Sequence, residues 1–446
     1  MARSMKDSEV EWIGEIPVGW TVTKVLNGLS MPITDGPHTT PELFEDGIVF
    51  ISAEAVSCGN GKIDFSHRRG YISNDFYLEC CKKYIPKIDD IYMIKSGATT
   101  GRVAIVDTLE PIFTIWSPLA VFRCNDAILV PKFLFYQLQA EGFQKQVEFA
   151  WSFGTQQNIG MRSLEQLKIV LPALSEQARI ANFLDVECTR IDAVIKQTRA
   201  SIEEYKKLKQ SVITQAVTKG IRPDRKMKDS GVEWIGEIPE EWASIRLQHT
   251  IAAIESGTSV NAGQAAASDG ELGVLKTSCV SRYVFLPEEN KNVNKDEENR
   301  VSCPVRKNTI IVSRMNTPDL VGACGYVSQD YDTLFLPDRL WQVHFKPNTN
   351  VKYIYYWLRS ACIRNYYSSL AVGTSSSMQN ISQDQFYHAS CPYPTEEEQK
   401  EIVAFLDEKC NSIDYLIDTK SKSLTELESY KKSLIFEYVT GKKVVI

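Results

Sequence analysis

The chain has 446 residues, 43% of them hydrophobic, with 50 Lys and Arg against 56 Asp and Glu for a formal net charge of −6. That length supports several buried cores, and the acidic balance excludes a protein coated in phosphate-binding cations while leaving room for a localised basic face that binds DNA. No long apolar run and no apolar leader are found, so a membrane-spanning or exported chain is not expected; the 11 scattered cysteines, without a CxxC, then read as reduced thiols in a cytoplasm.

Taken in order, Met1 to Ser4 look like extra N-terminal material. Met5 to Trp20 (MKDSEVEWIGEIPVGW) is too short to fold alone and reads as a strap that packs Trp12, Ile13 and Trp20 onto a neighbour. Residues 21–170 form a first block. Its β-like runs are Ile48–Ile51, Val103–Val106 and Leu119–Phe122, separated by turn clusters such as Thr34–Pro37 and Ser96–Gly101. A helical segment near Pro131 to Phe149 follows. From Glu176 to Lys219, Ile180, Phe183, Leu184, Ile191, Val194, Ile195, Ile202, Tyr205, Leu208 and Val212 recur at three- and four-residue steps. That period sets one apolar stripe on a long helix, which something must cover. Gly220 and Pro223 stop it. A break near Cys188–Arg190 would divide it into a short docking helix and a long one.

The plan then repeats. Met227 to Trp242 matches the strap at 13 of 16 positions, and 227 minus 5 is 222. Residues 243–390 form a second block, with β-like runs at Gly273–Leu275 and Thr309–Val312 and a helical segment at Val351 to Tyr367. A second stripe runs through Ile402, Phe405, Leu406, Ile413, Leu416, Ile417, Leu424, Leu427, Tyr430 and Leu434, between Glu398 and Gly441. Thr395-Glu-Glu-Glu398 has the form of a capping box before it, and a break is again expected, near Cys410–Ser412. Phe405 minus Phe183 and Asp414 minus Asp192 are both 222. Two tandem units of strap, block and helix follow, each stripe the natural cover for the other. Two equal units joined this way most simply adopt a pseudo-two-fold, which makes the helices antiparallel and sends the blocks to opposite ends. About 28 residues of coil at ~1.5 Å each span roughly 42 Å, slightly more than one duplex turn of ~34–36 Å.

Within the blocks stand TDGPHTTP (Thr34 to Pro41), KSGATTGRVAI (Lys95 to Ile105), SRMNTPDLVG (Ser313 to Gly322), LPDRLW (Leu336 to Trp341), GTQQNI (Gly154 to Ile159) and GTSSSMQNIS (Gly373 to Ser382). Each helix opens with E-Q-x-x-I, at Glu176 and at Glu398. With VEWIGEIP in both straps, these strings resemble, in order and duplicated, the specificity (S) subunit of type I restriction–modification systems, over essentially the whole chain. The resemblance implies an α+β fold: two mixed α/β target-recognition domains joined by two long antiparallel coiled-coil helices, as an internal pseudo-two-fold repeat. On that reading residues 1–174 hold the strap and first recognition domain and 175–220 the first spacer helix. Residues 221–394 hold the repeated strap and second domain, and 395–446 the second spacer helix.

The resemblance further implies that each domain reads half of a bipartite site in double-stranded DNA. Two methyltransferase (M) subunits would dock on the scaffold, and restriction (R) subunits would join for cleavage. S-adenosylmethionine, ATP and Mg2+ are expected on those partners, and no cofactor or metal on this chain. Base edges are read by Arg, Lys, Asn or Gln held on rigid loops. The candidates in the first block are Lys95, Thr99, Thr100, Arg102, Gln156 and Gln157, with Arg68, Arg69, Lys82 and Lys83 as phosphate contacts. In the second they are Arg314, Asn316, Thr317, Arg339, Ser375, Ser376 and Gln379, although Asp338 and Arg339 could equally form an internal ion pair. Helix pairing is assigned to Ile191, Ile195, Ile202, Tyr205, Leu208 and Val212 on one side, and to Ile413, Leu416, Ile417, Leu424, Leu427, Tyr430 and Leu434 on the other.

No Asn/Asp-Pro-Pro-aromatic string of amino-methyltransferases is present, and Gly97 to Gly101 lacks P-loop spacing. His38, His67, His249, His344 and His388 are dispersed without metal-ligand spacing. The chain therefore reads as a non-catalytic, cytoplasmic subunit. An autonomous DNA-modifying or DNA-cleaving enzyme, or a coiled-coil scaffold without DNA binding, are the alternatives.

Overall fold

A computed structural model describes residues 3–151, 157–375 and 378–445. The chain divides into two compact units, Met1–Arg199 with Lys422–Ile446, and Ala200–Ser421. Each unit takes one strap, one block and a length of both long helices.

In the first unit the strap closes as a hairpin in which Met5–Asp7 pairs antiparallel with Glu15–Pro17. Ile13, Ile16 and Trp20 are buried in the unit's main core, while the Trp12 ring stacks on Phe149 at 4.8 Å between centroids. The four-stranded sheet runs in the order Thr34–Asp35, Leu119–Phe122, Ile91–Ile94, Val103–Ile105, all antiparallel. Its inner strands are buried on both faces, hence their unbroken apolar runs. A smaller sheet pairs Ile48–Ile51 parallel with Phe113–Ile115 and antiparallel with Gly70–Ile72.

The second unit repeats this topology with different residues. Its four-stranded sheet is Ile251–Ser256, Leu340–Phe345, Thr309–Ser313, Cys324–Val327. A second sheet, here also of four strands, again contains one parallel pair, Gly273–Leu275 with Tyr331–Phe335, flanked by Asn290–Asn292 and Pro304–Val305. The expected single helical segments are each two helices: Pro131–Gln139 and Glu141–Phe149, then Val351–Arg359 and Ala361–Leu370. Ala140 and Ser360 adopt extended backbone between them, which re-aims the second helix and buries Phe143 and Val147 in one unit, Ile363 and Tyr367 in the other.

The long helices run unbroken over Leu174–Lys219 and Glu396–Val439. The breaks expected near Cys188 and Cys410 are absent; both thiols are buried, at 4% and 3% exposure, as apolar members of the stripe. In the first unit the Phe183 and Tyr438 rings meet tilted, 4.4 Å between centroids, while Arg199 meets Glu428 at 2.6 Å, so one helix descends as the other rises. Between them Ile191, Ile195, Leu434 and Ile435 share one core, with Leu424 and Leu427 partly buried against it. In the second unit Ile213, Ala216 and Val217 share a core with Ile402, Leu406 and Cys410, and Arg222 meets Glu401 at 2.7 Å. The pairing is antiparallel there too. Lys431 bonds Asp192 at 2.7 Å in the first unit, and Lys209 bonds Asp414 at 2.5 Å in the second.

The stripe is narrower than its sequence period suggests. Ile202 and Ile413 are buried, and Tyr205, Val212 and Ile417 are intermediate. Val194, Leu208, Leu416 and Tyr430 remain 42%, 48%, 39% and 54% exposed, so Leu208, Leu416 and Tyr430 do not serve as buried pairing residues. Two helices bury only the seam between them, and stripe edges stay in solvent. Ile213 and Ile435, not anticipated, fill the seam instead.

The capping box is also only half made. Thr395 Oγ1 accepts from the Glu398 amide at 3.4 Å. The Glu398 carboxylate instead accepts from the Trp242 indole at 2.9 Å and from Arg225. The first unit has the same arrangement, Trp20 donating to Glu176 at 3.1 Å with Arg3 beside it. Arg3 stands 222 positions before Arg225. It therefore belongs to the repeat, and setting aside Met1 to Ser4 as extra material is corrected at Arg3.

Candidate nucleic-acid interface

In the first unit three sequence strings meet at Lys95. It follows the strand Ile91–Ile94, and the turn Ser96–Gly101 hairpins back to Val103–Ile105. The Lys95 carbonyl accepts from Ile159 N at 2.9 Å, and Gln157 O accepts from Gly97 N at 2.9 Å, tying the end of GTQQNI to this turn. The Lys95 ammonium lies 3.3 Å from Asp35 of TDGPHTTP. Thr100 Oγ1 donates to Gly97 O at 2.7 Å, and Gln144 Nε2 to Gly101 O at 2.9 Å, so the turn is braced at both ends. Arg102 is exposed and donates to Ser57 O at 3.0 Å.

The second unit builds the same node around Arg314. Its carbonyl accepts from Ile381 N at 3.1 Å, and its own amide donates to Arg339 O at 3.1 Å. Arg314 Nε donates to Asp338 O at 2.8 Å, and Asn316 pairs with Gln379 across the short strands Met315–Asn316 and Met378–Asn380. Thus SRMNTPDLVG, LPDRLW and the end of GTSSSMQNIS converge. Arg364 takes the bracing role of Gln144, donating to Asp319 O at 2.5 Å. Asp338 and Arg339 form no ion pair; Arg339 is exposed, and its side chain makes no hydrogen bond or ion pair among the described residues. Thr317 lies in the turn that follows, and the Ser375 backbone in the strand Val372–Ser375. Gln156 and Ser376 lie outside the described residues.

The frame is held by glycine where backbones nearly touch. A β-carbon at Gly36 would stand 2.1 Å from Ile115 O, and one at Gly257 1.6 Å from Leu336 O. Both glycines follow the outer strand of the four-stranded sheet, one after Asp35 and one after Ser256.

The phosphate candidates are spread. Arg69 lies over the Trp116 ring at 3.7 Å and Arg68 over Tyr71 at 4.5 Å, both exposed. Lys82, exposed, caps the helix Asn74–Cys81. Lys83 bonds Asp35 at 2.5 Å. The sequence reading missed Asp35 itself. Its carboxyl is fully buried between Lys83, Lys95 and His38, whose Nε2 is 3.1 Å away. Burial pushes its pKa up, yet the Lys83 hydrogen bond and the charges of Lys83 and Lys95 outweigh that and hold it below the usual aspartate value. Also missed was a groove of about 880 Å3 in the first unit, between block and helices. Arg102, Lys196, Arg199, Lys431 and Lys432 line it against Asp192 and Glu428. Lys196 and Lys432 could be found only by knowing which helix face the block leaves open.

Among the described residues no group of three or more His, Cys, Asp or Glu is placed to hold a metal ion. No described helix is long and apolar enough to cross a membrane.

The family model of the type I restriction modification DNA specificity domain matches the chain twice, over residues 45–204 and 239–429. The chain belongs to this family. The specificity subunit of the type I restriction enzyme MjaVIII from Methanocaldococcus jannaschii is 26% identical over 379 residues, 84% of either chain. The putative MjaX specificity subunit of that organism is 26% identical over 447 residues, covering 96% of this chain and 95% of its own. A chain from a structural study of complex assembly and conformational transition in the type I R-M system aligns with a TM-score of 0.67 at 16% identity. The match covers 96% of this chain and 99% of that one, and shows that the fold is shared. As a type I specificity subunit, the chain supplies DNA sequence specificity through two target-recognition domains.

Proposed function

We propose that each unit reads one half of a bipartite site in double-stranded DNA. In this reading the paired long helices set the gap between half-sites and dock two methyltransferase (M) subunits. Restriction (R) subunits then join the modification complex. The observation that carries the reading is the repeated node. In both units a cation, Lys95 or Arg314, sits at the end of the same strand, where three separate sequence segments meet, held by backbone hydrogen bonds and, at Lys95, by the ion pair to Asp35. Such a loop is rigid without being buried, as base-edge readout requires. Thr99, Thr100, Arg102 and Gln157 surround the first node, and Asn316, Thr317, Arg339 and Gln379 the second. Arg68, Arg69, Lys82 and Lys83 supply phosphate contacts.

The chain is non-catalytic in this assignment. S-adenosylmethionine, ATP and Mg2+ act on the partner subunits, in a cytoplasmic complex without membrane attachment. The test is reconstitution with a methyltransferase (M) partner subunit, read by methylation mapping. The complex should methylate one bipartite motif, and the chain alone none. Lys95→Ala should relax one half-site and Arg314→Ala the other. Methylation by the isolated chain, or both substitutions relaxing the same half-site, would refute the assignment.

A further inference from the structure

We propose that Asp35 is a positioning residue that holds Lys83, beside the base-reading Lys95, as a clamp for one backbone phosphate of the DNA half-site read by the first unit. The inference rests on the DNA-reading assignment above and adds a residue outside every motif role given so far. Asp35 is fully buried, with Lys83 Nζ 2.5 Å from one carboxylate oxygen and Lys95 Nζ 3.3 Å from the other. Two permanent cations on one anion leave a surplus positive charge. Lys95 alone would neutralise the carboxylate, and Lys83, which also donates to Gly36 O at 3.4 Å, is held there with its charge left over.

The surplus faces an opening. The Lys83 side chain is 48% exposed and that of His38 71%, whereas Lys95 is held at 13%. Beside Lys83 lies a cavity of about 360 Å3 whose wall includes Thr39 and Thr114, with Glu79 the other acid on it. The Lys83 ammonium, on a rigid base with hydroxyls nearby, suits a phosphate oxygen better than a planar base edge. Gly36, which cannot carry a β-carbon beside Ile115, fixes the backbone that aims Asp35. The second unit has Ser256 at the equivalent place and anchors its cation by the Asp338 carbonyl instead. The clamp is therefore a feature of one half only.

The experiment measures duplex binding by the full chain across a salt series, by fluorescence anisotropy, with melting midpoints as folding controls. Asp35→Asn removes a negative charge, so electrostatics alone would make it bind DNA more tightly. The clamp requires the opposite. Asp35→Asn and Lys83→Ala should each weaken binding by about tenfold and flatten the slope of log K against log salt by about 0.9, the weight of one phosphate. Asp35→Glu should recover part of both. Tighter or unchanged binding by Asp35→Asn, with wild-type binding intact, overturns the clamp. If Asp35→Asn does not fold, Lys83→Ala, at an exposed position, decides on the same criterion. A midpoint raised by inorganic phosphate alone and unchanged duplex affinity in the variants would reassign the cluster to a free anion and overturn the clamp as stated. Failure of the wild type to bind any duplex would instead sink the DNA-reading assignment itself.

Discussion

Trp242 donates its indole N–H to the carboxylate of Glu398 at 2.9 Å, and the arrangement recurs 222 residues earlier between Trp20 and Glu176 at 3.1 Å. One residue of the strap and one of a long helix's first turn are thereby joined, with Arg225 or Arg3 as the third member. The Glu398 side chain is 5% exposed and that of Glu176 17%.

Removing Glu398 leaves the buried Trp242 indole N–H without its acceptor and Arg225 with Glu241 as its remaining acid. Glu398→Ala should therefore lower stability by about 2 kcal/mol, and Glu176→Ala by clearly less. Chemical denaturation of the two variants checks this; equal losses would show that burial does not govern the pair.

The paired ions Lys209–Asp414 and Lys431–Asp192 support the helix pairing modestly. Lys209→Glu and Asp414→Lys should each cost about 1 kcal/mol, and the double exchange should recover at least half of the sum. A thermodynamic cycle that closes without coupling would assign the helix contact to the apolar seam alone.

Asp35 predicts an acid dependence. Its pKa is lowered in the folded chain, so the stabilisation is present above the unfolded value of about 3.9 and is lost as pH falls through the folded value. The stability gap between wild type and Lys83→Met should be widest near neutrality and close in acid. A gap constant with pH would mean that the Lys83 stem, not its charge, does the stabilising.

Much of this was readable from the sequence because period and repetition report burial directly. The 222-residue offset gave the two units, and the stripes gave the helices. What stayed hidden depended on tertiary choice. Thr395 and Glu398 have capping-box spacing, but Trp242 and Arg225 take the carboxylate, and nothing local reveals that. Leu208 and Tyr430 have the right period yet lie at the stripe's edge. Asp35 gains its partners from Lys83 and Lys95, which are 48 and 60 positions away, so no motif could announce the cluster. Lys95 and Arg314 were legible because each sits inside a string with turn residues at fixed offsets.

The proposed ruler is testable by length. One heptad added to each long helix, the first between Ile191 and Ile202, should lengthen the unread gap by roughly three base pairs, from ~1.5 Å per residue against ~3.4 Å per base pair. Both half-sites should stay the same. Methylation mapping that found altered half-sites and an unaltered gap would remove the helices from the role of spacer.

The crossed lysine–aspartate pairs carry a consequence for ancestry. Asp192 and Lys209 lie on one helix, and the residues they meet, Lys431 and Asp414, are their own counterparts 222 positions on. One repeat thus encodes both sides of its own fastening. A gene for half this chain would specify a product able to mate with its twin, and fusing two such genes would then free each half to drift toward a different DNA word.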